Sequence, residues 1–131
     1  MQRLLFDASS IMYALKSHNI KMLNNQFIQE LTIYEFCNAL WKEVYLLKIL
    51  DKRKATILVN VFSEILDLMN ILSIRNYEEE ILKTALTTGL TFYDASYIVL
   101  ARNNNLILVT EDKTLREKAT KYVGTKSLSE L

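Results

Sequence analysis

The sequence predicts an α/β protein built on a mainly parallel sheet. Three features carry that expectation. Short apolar runs, of which residues 106–110 (L-I-L-V-T) are the clearest, have the β-branched character of buried strands. They alternate with longer stretches at helical spacing, the pattern of βαβ units. Half of the 131 residues (50%) are hydrophobic, enough for a sizeable core and too many for a disordered chain. The length fits one domain over residues 1–131.

Residues 3–6 (R-L-L-F) read as a buried strand ending at Asp7, followed by a helix over residues 8–17. Residues 27–31 form a short second strand. From Thr32, apolar residues Ile33, Phe36, Cys37, Leu40, Val44 and Leu47 recur at helical spacing. Asp51 restarts a helix that runs through Ile57, Val61, Ile65 and Met69. A strand over 71–74 precedes a helix over 77–86, which Gly89 stops from a C′ position. Thr91 opens a helix to about Ala101, the strand at 106–110 follows, and a last helix covers 113–121. A final edge strand falls within 122–128. With no proline and two glycines, turns fall to residues such as Asn24-Asn25 and Asn103-Asn104-Asn105.

Charge is balanced, 16 Lys+Arg against 15 Asp+Glu, which excludes a protein held to duplex nucleic acid by bulk charge and leaves room for a local basic rim. The single cysteine, Cys37, has no partner for an internal disulfide, and its neighbours Phe36, Ala39 and Leu40 predict a buried, inert thiol. No basic segment leads into an apolar one at the start, and no apolar run approaches the roughly 20 residues that span a bilayer. The expectation is a cytoplasmic protein without a membrane anchor. One His (His18) and one Cys cannot supply a zinc ligand set, so any metal is a hard cation held by carboxylates.

Four acids stand where such a cation would be held. Ligands of parallel sheets sit outside the carboxyl ends of the strands. Asp7 ends the first strand and Asp112 follows the strand at 106–110; Glu35 and Asp94 lie in the first turns of the helices opened by Thr32 and Thr91. The plainer alternative is capping: T-I-Y-E and T-F-Y-D both place an acid three residues after a Thr, acids suit a first helical turn, and Asp7 and Asp112 stand where each could N-cap the helix after its strand. Glu35 and Asp94 are flanked by apolar residues, however, and clustered carboxylates cannot all stay ionised without a cation.

D-A-S-S (residues 7–10), T-I-Y-E-F-C-N-A-L-W-K (32–42), T-F-Y-D-A-S-Y-I-V-L-A (91–101) and L-V-T-E-D (108–112) together resemble the PIN-domain family, in the order and spacing of its VapC-type toxins. The resemblance implies a three-layer α/β/α sandwich and an endoribonuclease dependent on Mg²⁺ or Mn²⁺. It implies an acidic quartet of Asp7, Glu35, Asp94 and Asp112, with Ser9 and Thr110 as the accompanying hydroxyls. It also implies an RNA substrate, an antitoxin of VapB type and a homodimer. Asn38, one helical turn from Glu35, is placed to orient it. Many relatives carry a further Asp or Asn where this chain has Thr114, which makes a second metal position weak or filled only with RNA bound; Glu111 reads as a solvated turn residue, or as a partial substitute there.

Lys113 and Arg116 follow the last acid closely enough to handle phosphates, while Lys52-Arg53-Lys54 reads equally as an RNA rim or a solvated turn. Tyr13, Tyr34 and Tyr93 lie near the acids and read either as base-stacking residues or as core tyrosines. Trp41, Tyr45, Leu46, Leu50, Val59 and Leu68 fall off the main apolar stripes and are expected at an interface. A receiver-like phosphoacceptor domain is a poor fit, because Asp7 stands alone and 71–74 leads to Arg75-Asn76 with no Asp. A non-catalytic binding module and an RNA-processing nuclease without an antitoxin stay open.

Overall fold

A computed structural model describes residues 2–131. Among them the chain runs β1 (Leu4–Phe6), α1 (Ala8–Lys16), β2 (Phe27–Gln29), α2 (Glu30–Trp41), α3 (Lys52–Leu66), β3 (Asn70–Leu72), α4 (Glu78–Thr88), α5 (Phe92–Asn103), β4 (Ile107–Val109), α6 (Lys113–Ala119) and β5 (Thr125–Lys126). The sheet order is β3-β2-β1-β4-β5 and every pairing is parallel. From β1 the chain first builds outward through β2 and β3, then crosses to the other side of β1 to lay down β4. The order therefore reverses between β1 and β4, and the carboxyl ends of those two strands flank the switch point where open α/β sheets bind ligands.

Alternation along the strands separates two cores. Leu4 and Phe6 of β1 face one side with Ile28 and Val109, packing against Ile11, Phe36, Leu40, Phe62 and Ile65 of α1, α2 and α3. Leu5 and Leu108 face the other side, against Tyr97, Ile98, Leu100 and Ala101 of α5 and Leu115 of α6. α4 packs outside α5 through Ile81 and Ala85. The result is a three-layer α/β/α sandwich. Because β1 is buried on both faces, its sequence is an unbroken apolar run rather than an alternating one.

The elements fall where the sequence places them, with three informative shifts. β2 stops at Gln29 and α2 begins at Glu30, so Thr32 is not the N-cap of that helix. Its hydroxyl is buried instead, accepting from the Gln29 backbone N–H at 3.3 Å and bonding the Tyr97 hydroxyl at 2.9 Å. β3 begins one residue early, at Asn70, a polar residue at the sheet edge that the apolar pattern passes over. After Trp41 the helix widens into a π-turn over Lys42–Leu46, closed by the Leu47 amide on the Lys42 carbonyl at 2.9 Å. A five-residue turn shifts the helical phase, and Leu47, expected on the buried stripe, is exposed.

The same shift divides the expected interface patch. Trp41, Tyr45 and Leu46 are exposed, with the Trp41 and Tyr45 rings stacked at 5.5 Å, whereas Leu50 and Val59 pack against the core. Leu68 is exposed elsewhere, beside Ile20 and Lys21. Cys37 is half-buried rather than buried, packed at the edge of the first core, and burial still pushes its thiol pKa up.

With glycine scarce, Asn25, Asn76 and Asn105 take left-handed turn positions, which Asn tolerates better than most residues. Gly89 ends α4 at φ +76°. A Cβ there would meet only the Lys118 Nζ at 3.5 Å, so Gly89→Ala should cost about 1 kcal/mol through backbone strain alone. Phe36 and Phe62 pack with ring centroids 4.2 Å apart in the first core. Phe62→Ala should cost about 3–5 kcal/mol. Urea midpoints of the two variants would check both values.

Candidate active site

The ends of β1 and β4 are tied together by side chains. Asp7 is buried and caps α1, its Oδ1 accepting from the Ser10 amide at 2.9 Å and from the Ser9 hydroxyl at 2.7 Å. Its Oδ2 accepts a hydrogen bond from the Thr110 hydroxyl. Each of these hydroxyls has one proton and donates it to Asp7. Their lone pairs then accept the amides of the turn after β4: Glu111 N–H to Ser9 Oγ and Asp112 N–H to Thr110 Oγ1, each at 3.0 Å. Ser10 donates its own hydroxyl to the Val109 carbonyl at 2.9 Å. Two backbone amides are thus relayed through Ser9 and Thr110 onto one carboxylate, which fixes the T-E-D turn against the first strand. Burial raises the Asp7 pKa, and these hydrogen bonds act against it.

Glu35 and Asp94 come from opposite layers. With α2 starting at Glu30, Glu35 lies beyond the first turn and caps nothing. Its Oε1 accepts from the Tyr97 hydroxyl at 2.6 Å, and Tyr97 is in turn held by buried Thr32. Asp94 sits in the first turn of α5, where Thr91 caps the helix by accepting the Asp94 amide at 3.1 Å. The Asp94 carboxylate accepts no hydrogen bond among the described residues. Asp112 caps α6, its Oδ1 accepting from Thr114 and Leu115 at 2.9 and 3.1 Å. The capping alternative therefore holds for Asp7 and Asp112 and fails for the carboxylates of Glu35 and Asp94.

Electrostatics link all four. Burial raises the Glu35 pKa, the Tyr97 hydrogen bond opposes this, and the charges of Asp94 and Asp7 raise it further. Burial, then the charges of Asp112 and Asp7, raise that of Asp94. Burial and the neighbouring Glu35 carboxylate keep the Tyr97 phenol protonated, hence a donor. Among four acids from four separate segments, Asp94 lies within electrostatic reach of the other three at the switch point.

This donor set fits a hard divalent cation: carboxylates and hydroxyls, a half-buried Asp94 group without a hydrogen-bond partner, and like charges that a cation would relieve. Among the described residues no three His, Cys, Asp or Glu side chains already close around an ion site. Asp7, Asp112 and Glu35 each spend oxygens on the fold's own donors, so the acids form an open rim rather than a closed cage.

The other expected residues divide. Ser9 and Thr110 meet Asp7 directly. Asn38 is exposed and makes no hydrogen bond to Glu35; Tyr97, absent from the expected set, orients that carboxylate instead. Tyr97 lies three residues after Asp94 on an apolar helix, and asking where its buried hydroxyl finds a partner would have singled it out. Lys113 and Thr114 are exposed at the start of α6. Arg116 turns inward and donates Nη2 to the Thr110 carbonyl at 2.9 Å, bracing the turn from below. Glu111 is not a solvated turn residue: half-buried, it accepts the Leu128 amide at 2.7 Å and ties down the C-terminal segment.

The sheet order, the three layers and the acids at the switch point define a parallel α/β/α domain with an acidic carboxyl edge. Residues 4–121 match the PIN domain, and the chain belongs to that family. It resembles the VapC-type members in particular. It is 37% identical to exonuclease VapC9 of Pyrobaculum aerophilum over 127 residues, covering 95% of this chain and 91% of that one. It is 33% identical to ribonuclease VapC3 of the same organism over 92 residues, 68% of this chain and 67% of the other. The crystal structure of PAE2754 from Pyrobaculum aerophilum superposes with a TM-score of 0.80 at 36% identity, covering 98% and 92% of the two chains.

Thr110→Val should strand the Asp112 amide and one Asp7 oxygen, costing about 1–3 kcal/mol in denaturant melts, whereas Thr110→Ser should lose much less. The raised pKa of Asp94 gives a pH dependence with a definite sign. A carboxyl whose folded pKa is raised stabilises the fold below its ordinary value and loses that contribution as pH rises through the raised one. Without divalent ions, Asp94→Asn should therefore raise the melting midpoint at pH 7, and the gain should shrink as the pH falls toward the ordinary Asp value.

Proposed function

We propose that the chain is a VapC-like ribonuclease that hydrolyses RNA phosphodiester bonds with Mg²⁺ or Mn²⁺ held by Asp7, Glu35, Asp94 and Asp112. The observation that carries this reading is the tying of the β1 and β4 ends, with Asp7 and Asp112, through Ser9 and Thr110, beside the charges of Glu35 and Asp94, in a chain closely similar to proteins named as VapC nucleases. A divalent ion there would supply neutralisation of phosphate charge and an acidified water near neutral pH.

The residues' own tasks follow from their bonds. Ser9 and Thr110 favour the ionised form of buried Asp7. Tyr97 holds Oε1 of Glu35 and leaves its other oxygen available. Asp112 spends Oδ1 on α6 and keeps Oδ2. Asp94 has both oxygens uncommitted and is the ligand freest to close on an ion. Lys113, exposed beside the rim, meets substrate phosphates, and the remaining guanidinium donors of Arg116 contribute more weakly. A single PIN-like domain, an antitoxin of VapB type, a homodimer formed through the exposed Trp41–Tyr45 face and a cytoplasmic setting complete the reading. The non-catalytic alternative requires the four acids to be caps, and the carboxylates of Glu35 and Asp94 are not.

The purified protein should cleave single-stranded RNA with Mn²⁺ or Mg²⁺ and stop in EDTA. Asp94→Asn and Asp7→Asn should each lower kcat by more than about 100-fold, since even the outer partners of metal ligands cost up to that much. An endonuclease will open a circular RNA; activity on linear strands alone would make the enzyme an exonuclease, as its relative VapC9 is named. Failure to cleave either form with either ion would overturn the proposal.

A further inference from the structure

A cavity of about 240 Å³, which none of the four acids lines, is bounded by Glu30, Leu31, Tyr34, Ile74, Phe92 and Tyr93. It is formed where the N-terminal turns of α2 and α5 approach one another. Its two tyrosines immediately precede the two coupled acids, Tyr34 before Glu35 and Tyr93 before Asp94. Both rings are largely in solvent, Tyr34 at 76% exposure and Tyr93 at 60%, so neither belongs to the core. Tyr13 is apart from them, in another depression with Ser9, Lys16 and Glu111. The polar groups beneath the cavity are already satisfied, Gln29 donating Nε2 to Ser96 Oγ at 2.8 Å.

An aromatic-walled, mainly apolar slot whose lining includes the acid Glu30 suits a flat uncharged ring and repels a phosphate. It is smaller than the roughly 300–1,000 Å³ of typical small-molecule sites, a size for one ring system rather than a whole cofactor. A phosphodiester held at the carboxylates carries a base that must leave the acidic rim, and this mainly apolar slot, whose tyrosines adjoin Glu35 and Asp94 in the chain, offers it a surface. We propose that it holds one unpaired nucleobase of the RNA, stacked on Tyr34 and Tyr93. The proposal rests on the nuclease reading above and adds a base-binding subsite to it. Because stacking uses the π-face that every base has, the subsite requires an unpaired nucleotide and discriminates weakly among bases.

The test is fluorescence anisotropy with labelled octaadenylate, and with its abasic ribose-phosphate counterpart, in Ca²⁺, an oxygen-seeking ion that neutralises the carboxylates. Tyr34→Ala with Tyr93→Ala should weaken octaadenylate binding about 5- to 100-fold. Tyr34→Phe with Tyr93→Phe should restore it, and the abasic strand should bind the wild type and the alanine variant equally. Octaadenylate binding unchanged in the alanine variant, or absent from the wild type, would overturn the subsite. If that variant instead keeps RNA and loses a co-expressed antitoxin, the slot belongs to a protein partner and the proposal falls. Parallel gels in Mn²⁺ separate the two readings. Cleavage without ring-dependent binding removes the subsite alone, and ring-dependent binding without cleavage removes the nuclease alone.

Discussion

The hydrogen-bond knot of Asp7, Ser9 and Thr110 is the constraint on which the arrangement of the site depends. β1 and β4 are adjacent in the sheet but a hundred residues apart in the chain, and their carboxyl ends must be held in one register for the acids to meet. A buried carboxylate is costly unless its oxygens are filled. Here two hydroxyls and an amide fill them, and the same hydroxyls take up the amides of the turn that presents Asp112. Satisfying Asp7 and positioning Asp112 are therefore one interaction. Arg116 secures it from the other side through the Thr110 carbonyl.

The rest of the site works against stability. Glu35 and Asp94 are half-buried, and burial raises both; the charges of Asp94 and Asp7 raise Glu35 further and those of Asp112 and Asp7 raise Asp94, so the fold holds together groups that would separate if free. The Tyr97 hydroxyl compensates only Glu35. Nothing among the described residues compensates Asp94, although its position inside the capped first turn of α5 gives it some help from the helix dipole. Such a concentration of like charge is a sign of function when it sits at a ligand-binding edge, because a merely structural sequence would have replaced it.

Most of the fold was legible because its strands are short, apolar and separated by clear helical periods. The π-turn at Lys42–Leu46 was not, since a change of helical phase leaves no mark in composition, and it moved Leu47 from the expected core to the surface. The acids were legible as strand-end and first-turn residues. Their supports were less so. Thr32 looked like a cap and is a buried partner of Tyr97; Asn38 lay at the right spacing from Glu35 and points to solvent. Spacing along one helix cannot reveal a partner that arrives from the opposite layer, as Tyr97 does. Glu111 was misread for a related reason, because it is recruited by the C-terminal segment at Leu128, which is near it only in three dimensions; the inward bond of Arg116 to the Thr110 carbonyl left no mark in the sequence either.

The central claim is that these acids are gathered to share a divalent ion. The most direct test is to melt the wild type and Asp94→Asn, each in EDTA and in millimolar Mn²⁺. Binding to the folded state alone raises the midpoint by mass action. Mn²⁺ should therefore raise the wild-type midpoint and leave that of Asp94→Asn where it stands in EDTA. Equal midpoints for the wild type with and without Mn²⁺, or an equal rise in both proteins, would contradict the claim.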